Sequence, residues 1–274
     1  MAGAAALVTV FADGPGGGNP APIVLDAAGW SDARMQALAR GSGHESAFVV
    51  DPSGTGCDVA LRFWVPNHEM SMCGHATVGA LWLMRRRGLL PDRDEVRVHT
   101  AAGPVRGRLT AEGAVRVSQP VGTVQAVPDP ARALAALGGP AVVGGVRNAA
   151  TTRVKTIVDV GDAAVLDALM PDYAAVESAC AAIDSTGLYP YARTGERQFD
   201  ARQFPRSSGY PEDPATGIAA AALVCALVAE GTIAAGGGPV VVRQGRAMGR
   251  PSRITVWVGG ADPVCWLGGA VELG

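Results

Sequence analysis

Lysine is almost absent from this 274-residue chain: Lys155 stands alone among 23 basic residues, and arginine supplies the rest. With the heavy alanine and glycine load, this skew is read as the coding bias of a GC-rich genome and carries no expectation about mechanism. Cysteine is sparse, with five residues and no Cys-x-x-Cys spacing. An odd count without framework spacing points to reduced thiols in a cytosolic protein rather than to disulfides. Excess positive charge is missing too: the net charge is -2, which argues against a nucleic-acid footprint. The one basic cluster, Arg85-Arg86-Arg87, fits the C-terminal end of a helix, where cations complement the dipole. No apolar run reaches the ~20 residues that cross a bilayer. The N-terminal stretch lacks a basic lead and breaks at Asp13, so no secretory leader is expected.

Apolar residues are plentiful, at 48% of the chain, enough for one large or two medium cores. Two segments concentrate them. Met72-Cys73-Gly74-His75-Ala76-Thr77 leads into Val78-Gly79-Ala80-Leu81-Trp82-Leu83-Met84, and Glu212-Asp213-Pro214-Ala215-Thr216-Gly217 leads into Ile218-Ala219-Ala220-Ala221-Ala222-Leu223-Val224 and onward. A helix apolar on every side must be buried on every side. Two such helices, each starting at small polar or acidic residues, suggest a duplicated fold with a site between its halves.

Around them the pattern is of short strands. Strands are expected over 7–11, 22–25, 45–50, 59–65, 96–100, 105–109, 114–119, 151–160, 179–191, 197–204, 240–243, 253–258 and 265–273. Helices are expected over 32–40, capped by Ser31, over 131–137 and over 162–169. The segment 120–130 is read as a crossing between domains. The order is α+β rather than alternating βαβ. The glycine-rich loop 14–18 lacks the ending of a phosphate loop and is read as a turn at the edge of the cleft, pinned by the Asn19 side chain.

Several segments together are specific: Phe11; Gly18-Asn19-Pro20-Ala21; Glu45-Ser46-Ala47-Phe48; Leu61-Arg62-Phe63 with Pro66 and Glu69; Cys73-Gly74-His75-Ala76-Thr77; Gly209 with Glu212-Asp213-Pro214-Ala215-Thr216-Gly217; and Gln244-Gly245 with Gly249-Arg250-Pro251-Ser252. In this order and nearly end to end, the chain resembles the PhzF (phenazine-biosynthesis) isomerases, which share the diaminopimelate-epimerase fold. The resemblance implies two pseudo-symmetric domains, 1–120 and 121–264, each a β-barrel around a central helix, with the last strand (about 265–274) returning to the first. The active site then lies in the cleft between them. It implies a proton shift within an unsaturated cyclic amino acid or related carboxylate, with no metal and no organic cofactor; a cytoplasmic homodimer with no nucleic-acid or membrane partner is expected. By motif, Glu45 is the acid/base and His75 and Asp213 flank the substrate. Asn19, Cys73, Gly74, Thr216, Gly217 and Ile218 make up the substrate-binding set. Two departures stand out. Ile218 occupies a place where the family usually has Ser, and Phe204-Pro205-Arg206 replaces the usual Phe-Ala-Pro order. Both bear on the substrate more than on the fold, and leave room for a specialised-metabolite substrate such as an unsaturated pyrroline acid of an alkylproline pathway.

The residues themselves admit plainer readings. Glu45 is either a loop glutamate or a carboxyl whose pKa burial raises toward the working pH. His75 is either structural or a proton-donating clamp. Asp213 fits an N-cap, and a cap and a ligand site can coincide there. His44, His68, Cys73 and His75 match no usual zinc spacing. A two-thiol racemase or epimerase would need a cysteine at each helix start. Cys73 supplies one, but the second start has Asp213-Pro214, and Cys225 lies turns away. Cys73 is therefore not expected to be a nucleophile. A catalytically silent small-molecule-binding protein is the rival from another class.

Overall fold

The computed structural model describes residues 4–110, 112–259 and 264–274. The first residues of the stretch read for a leader, and those just before the boundary expected at 264, lie outside it. The first part of the chain runs β1 (Ala6–Val10), β2 (Asn19–Val24), α1 (Asp32–Ser42), β3 (Ser46–Val50), β4 (Val59–Trp64), β5 (Glu69–Met70), α2 (Gly74–Arg86), β6 (Glu95–His99), β7 (Val105–Leu109) and β8 (Val115–Pro120). The second runs β9 (Val124–Ala126), α3 (Ala131–Ala136), β10 (Val146–Ala150), β11 (Val154–Asp159), α4 (Ala163–Ala168), α5 (Tyr173–Ala182), β12 (Gly187–Gly195), β13 (Gln198–Ala201), β14 (Phe204–Pro205), α6 (Gly217–Ala229), β15 (Val240–Gln244), β16 (Ser252–Val258), β17 (Val264–Gly268) and β18 (Val271–Leu273). The α+β class holds.

Strand pairing repeats. From β1 the series β1–β2–β3–β4–β6–β7–β8 is antiparallel, parallel, antiparallel, parallel, antiparallel, antiparallel. From β10 the series β10–β11–β12–β13–β15–β16–β17 follows the same order. In both, the long apolar helix lies between the fourth and fifth strands of the series. The two series join where β17 pairs antiparallel with β8, and β18 then pairs with β1.

The repeat explains the two apolar helices. α2 packs on β1, β2, β3 and β8, and α6 on β10, β11 and β16, while β17 touches both. Small residues permit this closeness. A Cβ on Gly79 would lie 3.1 Å from Val10 Cγ2, and Ala219, Ala220, Ala221 and Ala222 are wholly buried. Surrounded on all sides, each helix needs no polar face. α1 follows the ordinary surface pattern, with Ser31 accepting from the Arg34 N–H and Gly43 ending it in the left-handed conformation at φ 70°. α2 ends at Arg86 with Arg87 as its C-cap, so the basic cluster lies where its dipole favours cations.

Some expectations fail locally. The strand expected over 179–191 begins as helix: Asp172 accepts from the Ala174 and Ala175 N–H groups and launches α5, whose alanine-rich sequence favours helix. The strand proper starts at Gly187. The 120–130 crossing contains β9, which pairs with β10. β10 has mixed polarity and carries no clear alternation. The strand expected over 265–273 is two strands, broken where a Cβ on Gly269 would lie 2.6 Å from Phe11 Cδ1. The 14–18 loop lies against Pro251, whose carbonyl accepts from the Asp13 and Gly18 N–H groups, rather than lining the cleft.

Candidate active site

The repeat brings the starts of α2 and α6 together. A Cβ on Gly74 would lie 3.4 Å from Ile218 Cγ2 and 3.5 Å from Ile218 N. Beside this contact is a cavity lined from the first half by Glu45, Cys73, Gly74 and His75 and from the second by Asp213, Thr216, Gly217 and Ile218. The strands thus gather eight of the nine expected residues around one space. Its walls nearly meet, leaving about 20 Å³ for the centres of water-sized molecules, room for a water but not for a ring. A ring-sized ligand requires the walls to part. A larger hollow of about 540 Å³ opens beside β9 and β10, but its ionisable side chains are only Asp129 and Asp184, and it offers no acid/base pair.

Glu45 stands just before β3 and is the most heavily bonded group in the cavity. Tyr210 donates to Oε1 at 2.6 Å and the Cys73 thiol donates to Oε2 at 2.9 Å. His75 Nδ1 lies 3.4 Å from Oε2 and 3.3 Å from Cys73 Sγ. Burial alone would raise this carboxyl, but His75, the Cys73 and Tyr210 hydrogen bonds and Arg153 outweigh it and hold it below its ordinary value. The expected upward shift is therefore reversed, because donors converge on the carboxylate. Glu45 is a carboxylate at neutral pH.

Asp213 is its opposite. Burial and the charge of Glu45 push it up to about 7. Asn19 Nδ2 donates to its Oδ1 at 2.7 Å, Thr216 donates to Oδ2, and Gln244 Nε2 donates to its main-chain oxygen at 2.6 Å. Asp213 is not the N-cap; Thr216 holds that position, without a side-chain cap bond. Asn19 does not pin the glycine loop and does not line the cavity. It orients Asp213 and also donates to the Ala215 carbonyl at 3.0 Å.

Cys73 is pushed well above its ordinary value by burial and by Glu45, which keeps it a thiol and suppresses its nucleophilicity. Burial lowers His75 despite the attraction of Glu45, leaving a neutral imidazole. Glu45, Cys73 and His75 offer three atoms within 4.8 Å that could take a metal ion. A metal would need the thiolate, which this environment disfavours. Cys225 is buried within α6 and does not supply a second thiol at a helix start.

Among the lining residues that escaped the sequence reading are Arg153, Lys155, Gln203 and Tyr210. The signal for Lys155 was in plain view as the only lysine. Tyr210 lies between the quoted Gly209 and Glu212, and nothing local marks its hydroxyl for Glu45, which is 165 positions away.

A family model described as "Phenazine biosynthesis-like protein" (PhzC-PhzF) matches residues 8–267. The chain is 32% identical over 271 residues to "Uncharacterized isomerase YddE" of Salmonella typhimurium, with 92% of this chain and 88% of the relative covered. It is 31% identical over 260 residues to the "Trans-2,3-dihydro-3-hydroxyanthranilate isomerase" of Pseudomonas aeruginosa, with 93% and 90% covered. A solved PhzF-family phenazine biosynthesis protein of Bacillus anthracis shares the fold, with a TM-score of 0.85 at 24% identity over 98% of this chain and 96% of that one. Among the described residues, no helix is long and apolar enough to cross a membrane.

Proposed function

Because the chain belongs to the phenazine biosynthesis-like (PhzC-PhzF) family, we propose that this isomerase moves a proton, and with it a double bond, within an unsaturated cyclic amino acid or related carboxylate, using its own side chains and no organic cofactor. The two pairing series are taken as barrel-like halves, about 1–120 and 121–264 with the end of the chain returning to the first, and the site as their cleft.

The observation that carries the reading is the opposite protonation of two carboxyls lining one cavity. Groups whose surroundings drive their pKa values apart are suited to acid and base roles. Glu45, already ionised, removes a proton from carbon and can return it at another. Asp213, still protonated near neutrality, donates a hydrogen bond to the anion that forms. The first N–H groups of α2 and α6 are free of intrahelical partners and favour a carboxylate. A two-thiol racemase finds no support, since Cys73 is held as a thiol and has no partner.

Ile218 narrows the substrate. Its side chain closes over Gly74, so the ligand meets apolar bulk where a serine would demand a polar partner. This favours ring or alkyl carbon at that point, as in an unsaturated pyrroline acid, over the hydroxylated dihydroaromatic acid of the Pseudomonas relative.

Proton NMR in heavy water tests the reading. A pyrroline-2-carboxylate or trans-2,3-dihydro-3-hydroxyanthranilate is expected to show a shifted double bond or exchange at carbon with the wild-type protein, and neither change with Glu45→Gln. Binding of such acids without carbon exchange would instead support a catalytically silent binding protein.

A further inference from the structure

The chain uses arginine wherever it needs a positive charge except at one position, and that position faces the catalytic cavity. Lys155 lies on β11, in the second pairing series, and lines the same small space as Glu45, which precedes β3 in the first. The residue is only 3% exposed. Among the described residues its ammonium makes neither a hydrogen bond nor an ion pair, and its interactions are through space: with Arg153, which also lines the cavity, with Asp213 and Glu45, and with Cys180 of α5. The cavity also holds the Gln203 amide, whose nitrogen and oxygen are both buried without partners.

A permanent charge at such a place would have the Glu45 carboxylate across the cavity but no partner in contact. Arginine would impose one, because a guanidinium does not lose its proton in proteins, whereas a buried lysine does so readily. Burial and the neighbouring Arg153 bring Lys155 down to about 7, where both forms are populated at neutral pH.

Resting on the isomerase reading, we propose that Lys155 is a second proton-exchanging residue of this site, working with Glu45 from the other half of the molecule. The Glu45 carboxylate takes a proton from one carbon of the substrate. The electron pair of that C–H bond becomes the new double bond, the old one opens toward the far end of the conjugated system, and the Lys155 ammonium delivers a proton there. The site is left with a Glu45 carboxylic acid and a neutral Lys155 amine. Transfer of one proton from the acid to the amine, directly or through water, restores the starting state. No oxidant, reductant or co-reactant is required.

The single lysine makes the test direct. In full-length protein labelled with 13C,15N-lysine, the one side-chain signal is expected to titrate with a midpoint near 7, moving upward in Arg153→Met. A midpoint near the ordinary lysine value of about 10.4 overturns the proposal. In heavy water, wild-type turnover of protiated substrate is expected to place solvent deuterium at the accepting carbon, because ammonium protons exchange with solvent. Lys155→Met is expected to lower kcat by ~10²-fold or more with KM little changed, and Lys155→Arg is expected not to restore it. Lys155→Met removes an unpaired buried charge, so a thermal midpoint at or above wild type separates lost chemistry from lost folding. Wild-type isomerisation that Lys155→Met retains, or transfer of the substrate's own hydrogen to the accepting carbon, overturns Lys155 alone. Failure of the wild type to isomerise or exchange any candidate acid overturns the isomerase reading, and this proposal with it.

Discussion

The starts of α2 and α6 occupy the same place in the two pairing series, and their differences divide the chemistry. Each helix begins with glycine, Gly74 or Gly217, after an N-cap that makes no side-chain cap bond. The cap is Cys73 in one and Thr216 in the other. One residue into the helix, His75 faces Glu45 in the first half, while its counterpart in the second is Ile218. The α2 end therefore gathers donors around a carboxylate and keeps it ionised. The α6 end buries a carboxyl close enough to Glu45 to feel its charge and keeps it protonated toward neutrality. The same backbone arrangement gives an ionised carboxyl at one start, and at the other a carboxyl held toward its protonated form beside an apolar wall. A duplicated fold can thus keep its geometry and acquire asymmetry through three or four side chains.

The largest loss is expected of Glu45→Gln. It keeps the shape but removes the proton carrier, so kcat is expected to fall ~10²- to 10⁴-fold. Circular dichroism would confirm that the fold persists, and near-normal turnover would refute the assignment. Tyr210→Phe deletes one of the hydrogen bonds that lower Glu45, so the acidic limb of the pH–rate profile is expected to move to higher pH. An unmoved limb would remove Tyr210 from the account. Asp213→Asn tests the other start through stability. The Asp213 pKa is about 7 in the folded protein and ~3.9 in the unfolded chain, so between these values the folded state holds a proton that the unfolded state has lost. This group's contribution to stability therefore falls as pH rises through that window, by up to about 4 kcal/mol. Denaturation midpoints of the variant are expected to lack that decline, and parallel wild-type and variant curves from pH 4 to 7 would contradict it. The smallest effect is expected of Cys73→Ser: serine can still donate to Glu45, and activity within a few-fold of wild type is expected. Loss of activity with folding intact would revive the thiol mechanism.

The fold was legible where the sequence followed one strong period or had none at all. The two helices apolar on every side could be nothing but buried, and Glu45, His75 and Asp213 were marked by their motifs. Elements with ambiguous local signals were misread. The strand expected over 179–191 begins inside a helix that Asp172 caps, and β10 carries no alternation to announce it. The protonation states were hidden for a different reason. Glu45 is held below its ordinary value by His75, Cys73 and a tyrosine 165 positions away, and Asn19 reaches Asp213 across 194 positions. Only the assembled pairing brings these groups within reach. Lys155 shows the reverse: its isolation was visible as a count, and its meaning came only from its place.

The seam between the halves sets an order of assembly. β17 is hydrogen-bonded on one side to residues 116–120 and on the other to β16, and its Leu267 reaches the starts of both buried helices. During synthesis, a chain that has just completed α6 already carries every residue that lines the cavity, yet lacks the strand that pairs one series with the other. Closing so distant a contact is slow relative to local structure. The nascent protein is therefore expected to pass through a stage with its cavity-lining side chains made but unjoined, and the last strands to emerge act as the clasp that closes the two pairing series on each other.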